Sequence, residues 1–97
     1  MARNLDFIYQ LESIIDERLN KKDSESYVYG LISSGLDRVL KKIGEEAGEV
    51  IIAAKNENET ELLNESADLL FHLILVLKSQ GKSLEDVVEI LTQRHDR

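Results

Sequence analysis

Apolar residues recur along most of this chain at steps of three and four and almost nowhere alternate with polar ones, which is the period of the amphipathic α-helix. The first such stretch runs from Leu5 to Leu19, with Phe7, Ile8, Leu11, Ile14, Ile15 and Leu19 on one face, and the polar residues 20–25 break it. A short helical piece from Tyr27 to Ser33 leads through Gly35 into a long helix from Leu36 to Lys55, striped by Leu36, Val39, Leu40, Ile43, Ala47, Val50 and Ala54. Residues 56–59 form the next turn, Glu61 to Ser79 a second long helix, and Gly81 its C-terminal stop. Ser83 caps a last helix from Leu84 to Arg94, with Asp86 placed to complete a capping box. Proline is absent. The pattern predicts an all-α helical bundle forming a single domain over residues 1–97.

Two acidic pairs interrupt this pattern, Glu46/Glu49 and Glu65/Asp68. Residues three apart on a helix lie about 60° apart around the axis and roughly one turn apart along it, so two such helices packed face to face converge four carboxylates. The third pair at this spacing, Asp86/Glu89, has an ordinary role in the first turn of a helix, where acids suit the dipole. Asp68 precedes the run Leu69 to Leu77, apolar around the whole circumference except at His72. A helix of that kind is expected to be buried, and an ionised carboxylate on it then calls for a cation or a tight hydrogen-bond network. On the first long helix Arg38, Lys42, Glu45, Glu46 and Glu49 share one polar strip, with Glu46 nearest the apolar edge. A divalent-metal site and a hydrogen-bonded or solvated acidic patch both account for these carboxylates. His72 reads equally as a packed core histidine or as a partner that orients Asp68.

Carboxylate oxygens are hard ligands that suit magnesium, or manganese, and suit zinc poorly without histidine or cysteine. Magnesium typically bridges protein carboxylates to substrate phosphates, so metal-assisted hydrolysis of a phosphoanhydride is the reaction class the residues favour, with Glu45 or Glu46 as acceptor of the water's proton. Other nucleotide motifs fail: Gly30 and Gly35 have P-loop spacing, but Leu36-Asp37 stands where Lys-Ser/Thr is required.

The formal charge of -7 argues against non-specific binding to nucleic acid or anionic membranes. No cysteine is present, and no apolar run approaches the ~20 residues that span a bilayer. A cytoplasmic protein is expected. With 97 residues the core is modest, so homodimers or larger homo-oligomers are expected to complete the burial.

The string Glu45-Glu46-x-x-Glu49 followed by Glu65-x-x-Asp68 resembles the signature of the all-α nucleotide pyrophosphohydrolases, the MazG-like superfamily. Ser26-Tyr27-Val28, Gly35 to Arg38, Lys42 to Glu46, Ala53 to Asn56 and Ala67 to His72 are similar, within it, to the phosphoribosyl-ATP pyrophosphatases of histidine biosynthesis. The resemblance implies magnesium-dependent hydrolysis of 1-(5-phosphoribosyl)-ATP to the AMP compound and pyrophosphate, with the metal on Glu46, Glu49, Glu65 and Asp68. It implies that Arg38, Lys42, Lys55 and Asn56 face the phosphates or ribose of this small-molecule nucleotide, and that a dimer completes the bundle. Where those enzymes often carry a threonine after Ser-Tyr, this chain has Val28. The absence of cysteine and the short length suggest the form without a fused cyclohydrolase domain. Two other readings stay open on the residues: a house-cleaning pyrophosphohydrolase of nucleoside triphosphates, and a non-catalytic helical dimerisation module.

Overall fold

Five helices follow one another in the computed structural model, which describes residues 5–21 and 26–96: α1 (Phe7–Lys21), α2 (Tyr27–Ser33), α3 (Leu36–Lys55), α4 (Glu59–Ser79) and α5 (Leu84–His95). Among the described residues there is no strand. The all-α expectation holds, and the bounds of α2 and α3 match those read from the periodicity. Helix α1 starts at Phe7 rather than Leu5 and runs through Lys21, two residues past the expected end at Leu19, and residues 22–25, the rest of the expected break, lie outside the described residues.

Helix α4 begins two residues earlier than its apolar pattern suggests because Asn58 caps it, the side-chain oxygen accepting from the Glu61 N–H at 3.1 Å. Immediately before this cap, α3 ends in a Schellman motif: the N–H of Asn58 donates to the Ala53 carbonyl and that of Glu57 to the Ala54 carbonyl. The motif requires a left-handed residue, and Glu57 supplies it at φ 56°, the sole non-glycine among the described residues with positive φ. The α3–α4 connection is therefore a tight αα-hairpin in which every turn residue has a hydrogen-bonding duty. The same motif recurs at the end of α4, where Gly81 adopts φ 73° and Lys82 donates to the Leu77 carbonyl at 2.8 Å. Ser83 and Asp86 form the expected capping box of α5.

The core is small. Ile15 of α1, Val28 and Leu31 of α2, Val39 of α3, and Ile74 and Leu75 of α4 form one buried cluster, with Phe71 and Leu84 packed against it. Val28 thus serves as a core residue, which explains an apolar side chain at that position. The helices α3 and α4 pack mainly on each other, while α1 and α2 close one side of the pair. Glu12 is buried where α1 meets α4 and α5: its carboxylate accepts from the Leu84 N–H at 2.8 Å, and Lys78 lies 3.1 Å from the neighbouring Asp16. Among the described residues no helix is long and apolar enough to cross a membrane.

Leu75 has no exposed surface and bridges α4 to the rest of the cluster. Leu75→Ala is expected to lower the unfolding free energy by about 2–5 kcal/mol, the range for a leucine truncated in a packed core, as measured by urea denaturation.

Candidate active site

The hairpin sets the height of each carboxylate. Glu49 and Glu65 each stand eight residues from Glu57, and Glu46 and Asp68 each stand eleven. With a rise of about 1.5 Å per residue in both directions, each acid of α3 therefore has an acid of α4 at its own level. The electrostatics register this convergence. Partial burial, followed by the charges of Asp68, Glu49, Glu61 and Glu46, pushes the Glu65 carboxyl above the ordinary carboxylate value. The charges of the other three acids singled out in the sequence, and that of Glu61, thus all reach Glu65. Among the described residues no group of three or more His, Cys, Asp or Glu side chains is already arranged to hold a metal ion.

Asp68 departs from expectation in one respect. Within the single chain it is exposed, as are Leu70 and Leu73 at 36% and 37%, whereas His72, Ile74 and Leu75 are buried. The helix that is apolar on all sides is covered on only one of them, so burial is not what brings Asp68 into the cluster; its position on the hairpin is.

Glu46 is held from behind. Its Oε1 lies 2.7 Å from Nδ1 of His72, and both side chains are largely buried, 12% and 7% exposed. Nδ1 also lies 3.0 Å from the Asp68 carbonyl oxygen. Two acceptors face this nitrogen, so it carries the ring proton; in the neutral ring Nε2 is then an acceptor and takes the hydroxyl proton of Tyr27 at 2.7 Å. Of the two sequence readings of His72, a partner role prevails, but the side chain it orients is that of Glu46, while Asp68 contributes its backbone. The neighbouring Glu45 is exposed.

The cations and the amide lie at the two ends of α3. Asn56 lines a small cavity of about 80 Å³ with Glu49, Ile52, Ala53, Asn58 and Glu61, at the hairpin turn. Lys55 is exposed beside it and does not line it. Arg38 and Lys42 lie toward the other end, Arg38 about 27 Å from Asn56 along the axis. The four residues cannot meet one phosphate; they flank the acids on both sides and suit an extended ligand. Among the described residues none of Arg38, Lys42 and Lys55 is ion-paired. A wider apolar cleft of about 250 Å³ opens between α1 and α5, lined by Leu5, Ile8, Tyr9 and Val88 among others, away from the acids.

Sequence reading passed over Tyr27, Glu61 and Glu12. Glu61 carried a signal, standing four residues before Glu65 on the same helix face, and Glu12 another, since it falls between Leu11 and Ile15 on an otherwise apolar stripe. Tyr27 figured only as part of the Ser26-Tyr27-Val28 string, and nothing in sequence pointed to its role, because its partner is 45 residues away.

Residues 8–95 match the family described as phosphoribosyl-ATP pyrophosphohydrolase. The phosphoribosyl-ATP pyrophosphatase of Leptospira biflexa serovar Patoc is 48% identical over 91 residues, covering 94% of this chain and 99% of that protein. Its counterpart from Pyrobaculum islandicum is 45% identical over 89 residues, 92% of this chain and 95% of that protein. The histidine biosynthesis bifunctional protein HisIE of Thermus thermophilus is 52% identical over 94 residues, which make up 96% of this chain but 44% of that protein. The chain therefore spans less than half the length of its bifunctional relatives and nearly all of the shorter ones.

A carboxyl whose pKa rises on folding opposes folding when ionised, because the native state holds the proton more tightly than the unfolded chain. Stability is then lost as pH climbs from the ordinary value of 4.5 through the raised native value, and stays lowered above it. Glu65→Gln keeps the shape without the charge. In chelator at pH 7 it is expected to melt above the parent protein, with the difference shrinking as pH falls through the raised native value and vanishing below 4.5; calorimetric scans across that range check it.

Proposed function

The chain belongs to the phosphoribosyl-ATP pyrophosphohydrolase family, and from that premise we propose that it hydrolyses 1-(5-phosphoribosyl)-ATP to 1-(5-phosphoribosyl)-AMP and pyrophosphate in histidine biosynthesis. The observation that carries the reading is the acidic cluster at matched heights on the α3–α4 hairpin, in a chain nearly coextensive with the Leptospira biflexa pyrophosphatase. Water and substrate enter, the phosphoanhydride between the α and β phosphates is broken, and pyrophosphate leaves.

Glu46, Glu49, Glu65 and Asp68 would hold magnesium, with manganese as the alternative. The donor set fits: four carboxylates at two levels, all hard oxygens, among which Glu65 is raised by partial burial and then by its acidic neighbours, a cost that a divalent cation would relieve. Bound there, magnesium supplies charge neutralisation on the phosphates and polarises water. Glu45 is exposed and has no partner among the described residues, whereas Glu46 is tied to His72, so Glu45 takes the proton of the attacking water. Arg38 and Lys42 bind the end of the substrate nearest the start of α3, Lys55 and Asn56 the end nearest the turn. We read the reaction as cytoplasmic, since a substrate this heavily phosphorylated does not cross membranes and is used in the compartment where it is made.

A second copy of the chain completes the bundle. Leu63, Leu70 and Leu73 of α4 repeat at heptad-like spacing and are exposed, as are Leu36, Leu40 and Ile51 of α3. An apolar surface of this extent on the two central helices calls for a partner with the same faces.

Pyrophosphate release is the test, assayed with and without magnesium on phosphoribosyl-ATP and on a panel of ribo- and deoxynucleoside triphosphates. Magnesium-dependent turnover confined to phosphoribosyl-ATP is expected; preference for another triphosphate overturns the pathway in favour of house-cleaning, and no turnover at all favours a non-catalytic bundle. Asp68→Asn is expected to fold and to lose more than about 100-fold in kcat/KM, beyond what loss of a group merely supporting a metal ligand costs. Sedimentation equilibrium is expected to give at least twice the 11.0 kDa of one chain, and a monomer at micromolar concentration overturns the shared bundle.

A further inference from the structure

His72 is buried, yet both of its ring nitrogens are engaged, and neither bond is needed to satisfy the fold's backbone. The ring is clamped edge-on by Phe71, with centroids 5.2 Å apart at 82°, and by Tyr27, at 5.9 Å and 69°. Tyr27 begins α2, whose N-cap Ser26 fixes the start of that helix by accepting from the Tyr29 N–H. Its ring is half exposed and contributes little to the core, but its hydroxyl reaches the buried histidine 45 residues further on. The relay thus runs from α2 through α4 to α3, from the Tyr27 hydroxyl to His72 Nε2 and from His72 Nδ1–H to Glu46 Oε1.

We propose that Tyr27 and His72 are positioning residues that set the Glu46 carboxylate for metal binding, an inference that rests on the reading of Glu46 as a ligand given above. The imidazole has two neutral tautomers, and only the one with its proton on Nδ1 can donate to a carboxylate; in the other, a lone pair faces the Glu46 oxygen and repels it. The Tyr27 hydroxyl then donates to the unprotonated Nε2 and holds the ring in the orientation that presents Nδ1–H to Glu46. The Asp68 carbonyl, the second acceptor at Nδ1, selects the first tautomer together with the Glu46 carboxylate. With Oε1 engaged in this way, Glu46 loses the freedom to swing about its side-chain torsions, and its second oxygen, which has no partner among the described residues, is the one left for a cation. Carboxylates that ligate metals are commonly held by such outer hydrogen bonds, and removing the support costs about 10–100-fold in metal affinity.

The experiment is titration of the substrate-free protein with manganese, followed by the electron paramagnetic resonance of the free ion, with thermal melting to confirm that each variant folds. His72→Leu is expected to weaken manganese binding by about 10–100-fold, and His72→Asn, whose amide N–H stands in for Nδ1–H, to recover most of it. Tyr27→Phe leaves the half-exposed ring in place and is expected to weaken binding by about 5-fold, the worth of one ordinary hydrogen bond. In the His72→Asn background the same Tyr27→Phe change is expected to cost nothing, because the shorter amide has no Nε2 for the hydroxyl to hold; a merely structural role for Tyr27 would cost the same in both backgrounds. Parent protein that binds manganese while Tyr27→Phe and His72→Leu bind it equally well overturns the relay and leaves the metal cluster standing. Parent protein that binds none, or binding that Glu46→Gln does not weaken, overturns the ligand reading itself and the relay with it.

Discussion

Like charges held together on one helical hairpin are the constraint around which this molecule is organised. A three-residue turn fixes α3 against α4 so tightly that Glu46 and Asp68, and Glu49 and Glu65, have no means of separating along the helix axes. Partial burial, and after it their repulsion, raises the proton affinity of Glu65. A hairpin of two long helices withstands that repulsion because the apolar side chains of α3 and α4 hold it from the opposite face, with Val39, Ile74 and Leu75 buried beneath.

The turn is itself a compromise. A left-handed Schellman position ordinarily belongs to glycine, and at the end of α4 glycine occupies it; at the end of α3 the residue is Glu57. A β-carbon in that conformation costs roughly 1 kcal/mol. The adjoining Asn58 offsets part of that cost, since its amide closes the end of α3 while its side chain opens α4. The level of every carboxylate depends on this three-residue connection.

Polar burial in the chain follows one rule. Each buried ionisable side chain joins elements distant in sequence: Glu12 links α1 to the start of α5, and His72 links α4 to both α2 and α3. Among the described residues no buried side-chain polar atom lacks a partner. These contacts do more to specify the arrangement of the helices than to stabilise it, because a histidine with three acceptors and donors around it has only one satisfactory place in the fold.

Much of this was legible in the linear sequence. Helix periodicity, the Ser83 and Asp86 capping box and the glycine stop at Gly81 are local features, each decided by residues within four or five positions of one another, so the α2 and α3 bounds and the all-α class followed from pattern alone. The acid pairs at three-residue spacing were equally visible, and with the resemblance carried by the surrounding motifs they pointed to the family. What tertiary structure decided were the pairings across 26 and 45 residues: His72 against Glu46 rather than the Asp68 side chain, and Tyr27 against His72. It also decided the exposure of Asp68, which an apolar run had suggested would be buried, because burial depends on what covers a helix face and one chain of this size covers only one face of α4. Short-range periodicity determines the helices; only their packing determines which polar atoms meet.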